Sequence, residues 1–90
     1  MESGSDLRIQ VRPDVVFRLL GPGAVLVNLA DNQVFELNES GAAAWAKLSL
    51  GLPVSDAARH LVSVFQVEWP EAHASVERLV ADLRRAGLVE

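Results

Sequence analysis

The side chains able to do acid, base or metal chemistry here are two histidines and twelve carboxylates, joined by serines but by no cysteine. His60 and His73 fall on different predicted helices and read as surface imidazoles with no partner group beside either. A metal site needs several donors at fixed spacing. Asp56, Glu68 and Glu71 form no pair whose separation the spacing sets, so no carboxylate dyad for acid and base catalysis is indicated. The serines sit in the N-terminal tail, at helix caps or on helix faces, and no Gly-x-Ser-x-Gly elbow occurs. Gly21-Pro22-Gly23 lacks the lysine and the following helix of a phosphate loop. The missing cysteines exclude a disulfide framework, a thiolate metal site and a cysteine nucleophile, and fit a reducing cytoplasm. Trp45 lies on a predicted apolar stripe and reads as core rather than as a ligand anchor. The pattern points to a binding module that uses no metal or cofactor, not to an enzyme.

What remains is the chemistry of the main chain. The stretch Gln33 to Gly41 reads as a short strand running straight into a helix. Val34, Phe35 and Leu37 suit a strand. Asn38 is placed as the helix N-cap, and Glu39 follows where the helix dipole favours a negative charge. An unpaired edge on that strand would offer N–H and C=O groups to another chain. With Asp31-Asn32 as a two-residue hairpin loop, Ala30 faces Gln33, Leu29 faces Val34, Asn28 faces Phe35, Val27 faces Glu36 and Leu26 faces Leu37. In that register Gln33 and Phe35 bond the preceding strand, whereas Val34 and Glu36 turn their main-chain groups outward. Neither face of the sheet is cleanly polar. The N-terminal segment is the expected cover for the second face, with a partner protein as the alternative.

The remaining elements must position that edge. Ninety residues with 50% hydrophobic content make one small domain. Residues 1–6 read as a disordered tail and 7–90 as a single domain. Leu7 to Val11 alternates like a half-buried strand. Strands are expected over about 15–20, 24–30 and 33–37, and helices over about 39–48, 55–66 and 70–86. Ala44, Trp45 and Leu48 stripe the first helix. Ser55 is the expected N-cap of the second, with Ala58, Leu61, Val62 and Phe65 on its apolar face. Pro70 opens the third, Val76, Leu79, Val80 and Leu83 run along it, and Gly87 with Leu88 fits a Schellman ending. Strands followed by helices make an α+β fold: a three-stranded antiparallel meander followed by three helices, with the parts of a winged helix-turn-helix.

A net charge of −4 argues against nucleic-acid binding, which needs a positive field. Arg59, Arg78, Arg84 and Arg85 are interleaved with acids, so the predicted helices lack the basic recognition surface of a winged-helix DNA-binding domain. No apolar run is long enough to span a bilayer, and no signal-peptide plan is present. The expected setting is the cytoplasm.

The run Asn28 to Leu48 (NLADNQVFELNESGAAAWAKL) resembles the PqqD-like family, the recognition elements for ribosomally made, modified peptides. Leu37-Asn38, Gly41-Ala42-Ala43-Ala44 and Trp45 match the family's strand end and small-residue helix start in place. GLPVSDAARHL is similar to its turn and second helix, and VERLVADLRRAGLV to its third helix. The resemblance covers about Val15 to the C-terminus. An acidic residue common in the family just before the first apolar residue of the third helix is Ser75 here. Within the family, the Trp45 helix and the free-standing length are most similar to the small leader-binding proteins of lasso-peptide pathways. Partners of radical-SAM peptide-modifying enzymes come next, and a small domain that recognises some other peptide is a further alternative.

The resemblance implies that the leader segment of a precursor peptide adds as a strand beside the third strand. The peptide would then be presented to a leader peptidase, a cyclase or a radical-SAM maturation enzyme. The peptide-contacting residues expected on this basis are Gln33, Val34, Phe35 and Glu36 on the strand. Leu79, Val80 and Leu83 form the wall expected on the third helix, with Arg84 at the rim. The same open edge is a place where two copies can pair as a homodimer.

Overall fold

Six elements follow one another: β1 (Val15–Leu20), β2 (Gly23–Asn28), β3 (Gln33–Leu37), α1 (Glu39–Leu48), α2 (Val54–Phe65) and α3 (Trp69–Arg85). The computed structural model describes residues 7–90, and the tail expected over residues 1–6 lies outside the described residues. The strands form one antiparallel sheet in the order β1-β2-β3. The α+β meander-then-helices architecture is as expected.

The first turn depends on glycine. Gly21 has φ +58°, and a Cβ built on Gly23 would lie 2.4 Å from the Leu37 carbonyl oxygen. The end of β3 therefore packs directly on the start of β2. Gly23→Ala should push these backbones apart and cost about 1–3 kcal/mol, the usual penalty for overpacking. A thermal melt of the variant checks this, and an unchanged midpoint would contradict the close approach.

The second hairpin corrects the expected register. β2 ends at Asn28, not Ala30, and residues 29–32 make a four-residue loop. Asn28 pairs with Gln33, Val27 with Val34, Leu26 with Phe35, Val25 with Glu36 and Ala24 with Leu37. Local side-chain chemistry displaces the two extra rungs. The Ala30 N–H donates to Asn28 Oδ1 at 2.9 Å, the Gln33 N–H to Asp31 Oδ1 at 3.1 Å, and the Asn32 N–H to the Asn28 carbonyl at 2.7 Å. Asn32 adopts φ 62°, which asparagine tolerates. The slip is two residues, so each side chain stays on its expected face.

One face of the sheet packs on the helices. Val15, Ala24, Leu26 and Leu37 are buried there with Ala44, Trp45 and Leu48 of α1, Ala58 and Leu61 of α2, and Val76, Val80 and Leu83 of α3. Trp45 is fully buried, and Phe17 meets it edge-on with ring centroids 5.6 Å apart. Asn38 caps α1 by accepting the Gly41 N–H at 2.9 Å.

The start of α2 differs from expectation. The helix begins at Val54 with Pro53 at the N-cap, so Ser55 lies inside its first turn. The Val54 N–H donates instead to the Leu7 carbonyl at 2.7 Å, so the N-terminal segment does the capping. At its other end, Gln66 takes a left-handed φ of 58°. α3 includes Trp69, one residue earlier than expected, with Pro70 in the first turn. It ends in a Schellman motif: the Leu88 N–H reaches the Leu83 carbonyl and the Gly87 N–H the Arg84 carbonyl, both at 3.0 Å.

Residues 7–12 do not cover the outer face of the sheet. Ile9 is buried, Val11 bridges Val89, the Arg12 N–H bonds the Leu88 carbonyl and the Glu90 N–H the Gln10 carbonyl. The segment is tied to the residues after α3, leaving Val16 48% and Val34 61% exposed on the far side of the sheet.

Candidate functional site

Hydrogen-bond parity decides what the β3 edge offers. The Leu29 N–H donates to the Asp14 carbonyl at 2.8 Å, so Leu29 faces β1 with its main chain. Alternation along an antiparallel strand then turns Val27 and Val25 toward β1, and Leu26 and Ala24 toward β3. Phe35 and Leu37 therefore bond β2. Val34 and Glu36, opposite Val27 and Val25, direct their N–H and C=O groups out from the sheet. Among the described residues, no main-chain group from outside the sheet bonds Val34 or Glu36.

That edge borders a groove of about 660 Å³ between β3 and α3, within the usual size range of ligand clefts. Phe35, Glu36 and Leu37 form one side. The floor comes from Gly41 and Ala44 of α1 with Leu61 of α2, and the far wall from Ser75, Val76, Arg78, Leu79 and Asp82 of α3. A smaller pocket of about 200 Å³ adjoins it, lined by Leu61, Phe65, Val67 and Ala72 with Ser40, Glu71 and Ser75. Ser40, Leu61 and Ser75 line both spaces.

The expected residues distribute unevenly over this geometry. Phe35, Glu36 and Leu79 line the groove. Val34 does not line it: its main chain points out from the same strand edge, and its side chain lies on the outer face of the sheet. Gln33 sits at the turn, its N–H bonded to Asp31. Val80 and Leu83 are fully buried and belong to the core. Arg84 is exposed and does not line the groove, whose charged rim is Arg78 and Asp82 instead. Sequence reasoning missed Ser75, Arg78 and Asp82. Their signal was present: with Leu79 they recur at i, i+3, i+4 and i+7, a helical stripe beside the core stripe.

The other chemistry-bearing groups stay apart from this groove. His73 Nδ1 lies 3.6 Å from Glu77 Oε1 and its ring 5.4 Å from Trp69, which corrects the expectation of an imidazole without a neighbour. Arg59 sits 5.7 Å over the Trp69 ring and pairs with Asp56 at 2.9 Å. Among the described residues, no group of three or more His, Cys, Asp or Glu side chains is placed to hold a metal ion. No described helix is long and apolar enough to cross a membrane.

The profile of one protein family, Coenzyme PQQ synthesis protein D (PqqD), matches residues 23–89. Two solved structures share the fold. "TbiB1 in Complex with the TbiA(beta) Leader Peptide" superposes with a TM-score of 0.83 at 20% identity, covering 90% of this chain and 94% of that one. "Lasso peptide synthetase B1 complexed with the leader peptide" gives a TM-score of 0.83 at 25% identity, covering 93% of this chain and 99% of that one. No curated protein matches the sequence.

Proposed function

This chain belongs to the PqqD family, and from that premise we propose that it binds the leader segment of a ribosomally made precursor peptide as a fourth strand on β3. It then presents the peptide to a maturation enzyme, acting as a cytoplasmic carrier and not as a catalyst. Both structural relatives are described as complexes with a leader peptide, which supports the reading. The lasso-peptide setting, with a leader peptidase or cyclase as recipient, is favoured over a radical-SAM partner because one of these relatives is a lasso peptide synthetase.

One observation carries the proposal: Val34 and Glu36 turn their main-chain groups outward along the strand edge whose Phe35, Glu36 and Leu37 line the groove. Strand addition takes its affinity from such groups and its selectivity from side-chain pockets. Four main-chain bonds at about 1 kcal/mol each and three apolar anchors at about 2 kcal/mol each give roughly 10 kcal/mol. Ordering the peptide costs roughly 2–5 kcal/mol. The balance of roughly 5–8 kcal/mol corresponds to a dissociation constant between about 1 μM and about 200 μM, suited to a carrier that must release its cargo.

Amide hydrogen exchange with and without a leader peptide tests this. The Val34 and Glu36 amides are expected to slow on binding, while that of Phe35, already bonded to β2, changes little. Unaltered exchange at both residues in a saturated complex would refute strand addition. Affinity should also fall only mildly with salt. A steep log-log slope would point to phosphate contacts and a nucleic-acid ligand.

A further inference from the structure

The outer face of the sheet lies opposite the helices, and of its residues only Glu36 also lines the groove. Its rows follow from the register: Val16, Val27 and Val34 lie side by side across the three strands, and Arg18, Val25 and Glu36 form the next row. Leu20 and Leu29 extend the patch and are 55% and 58% exposed. Arg18 and Glu36 are both exposed, and neither joins an ion pair among the described residues. An uncovered apolar face of this extent marks an interaction surface.

We propose that this face is the contact between two copies of the chain, packed sheet against sheet about a twofold axis that runs parallel to the strands. The rows select that partner. A twofold axis lying over β2 sets β1 of one copy above β3 of the other without shifting either along the strands. Val25 and Val27 then meet their own counterparts, and Val16 meets Val34 of the second copy. Arg18 meets Glu36 of the second copy, and Glu36 meets its Arg18. The all-valine row and the Arg18-Val25-Glu36 row, with its apolar centre and opposite end charges, make the surface complementary to itself, as a closed twofold interface requires. Aligned packing of two sheets about 10 Å apart is a stable arrangement.

The area is sufficient for a weak dimer. With Val16, Leu20, Leu29, Val34 and the two charged side chains wholly covered, each copy buries at most roughly 600 Å², or about 1,200 Å² in total, the lower end for specific interfaces. The contact uses the face and leaves the β3 edge open. It differs in this from pairing through the edge strand, and it does not rest on the peptide-binding reading.

Sedimentation equilibrium from about 10 μM to about 1 mM covers the range in which a weak dimer dissociates. The mass should rise from 9.7 kDa toward twice that value. Arg18→Glu sets a carboxylate against Glu36 of the second copy and should weaken the dimer about tenfold or more. The double variant Arg18→Glu, Glu36→Arg restores both pairings and should recover the dimer to within about threefold. Circular dichroism checks that each variant is folded, and Glu36→Arg alone replaces Arg18→Glu if the latter is not. A monomer at every concentration overturns the proposal. So does a dimer indifferent to Arg18→Glu, which would signal edge pairing, or one that the double variant fails to restore.

Discussion

Val34→Pro should weaken leader-peptide binding by roughly 30- to 1,000-fold and leave the domain folded. Val34 sits in a non-bonded pair with Val27, so its N–H serves no rung of the sheet. Proline removes that donor and leaves a guest carbonyl unpaired in the groove. The lost bond and the stranded acceptor together cost about 2–4 kcal/mol. The same change one residue along has the opposite consequence. Phe35 bonds β2 opposite Leu26, so Phe35→Pro removes a rung and should cost the fold about 3 kcal/mol. Fluorescence polarisation with a labelled leader peptide, beside a thermal melt, separates the two. Full affinity in a folded Val34→Pro protein would end the strand-addition mechanism.

Trp45→Ala should remove most of the stability of the domain. Trp45 is wholly enclosed between the sheet and the helices and holds Phe17 against its edge. Truncating a buried aromatic of this size costs about 3–5 kcal/mol, against a total of about 5–15 kcal/mol for a domain, with small ones at the low end. The melting midpoint should fall by roughly 15–30 °C. Urea denaturation reads the free energy directly, and a loss below about 1 kcal/mol would contradict the central position of this side chain. Phe17→Ala should cost much less, because Phe17 is already 49% exposed.

The helices were legible because their signals are local and strong. Val76, Val80 and Leu83 recur with the helical period, and Gly87 with Leu88 announced the Schellman ending. The position of Val34 and Glu36 on the open edge was legible too, since a two-residue slip leaves hydrogen-bond parity intact. The slip itself was not. Asn28 reads as a strand residue by its place between apolar neighbours, yet its carboxamide bonds the Ala30 N–H and ends the strand two residues early. Ser55 misled for a comparable reason: the true cap of α2 is the Leu7 carbonyl, forty-seven positions away. Val80 and Leu83 were expected at the groove because an apolar stripe does not say which of its members face the core. The groove takes Leu79 with polar neighbours instead. The N-terminal segment was expected to cover the sheet, and only tertiary pairing with residues 88–90 draws it elsewhere.

The anchoring of α3 bears on how quickly a guest is captured. Beyond its last turn, Asn28 Nδ2 donates to the Gly87 carbonyl at 3.5 Å, the Arg12 N–H to the Leu88 carbonyl, and the Glu90 N–H to the Gln10 carbonyl. Leu88 and Val89 are buried there. These contacts hold the C-terminal end of the helix in place beside the sheet, so the cleft is expected to stand ready before any encounter. On the proposed binding mode, association is then expected at the ordinary rate for rigid partners, with precursors of different sequence told apart by how long each one stays.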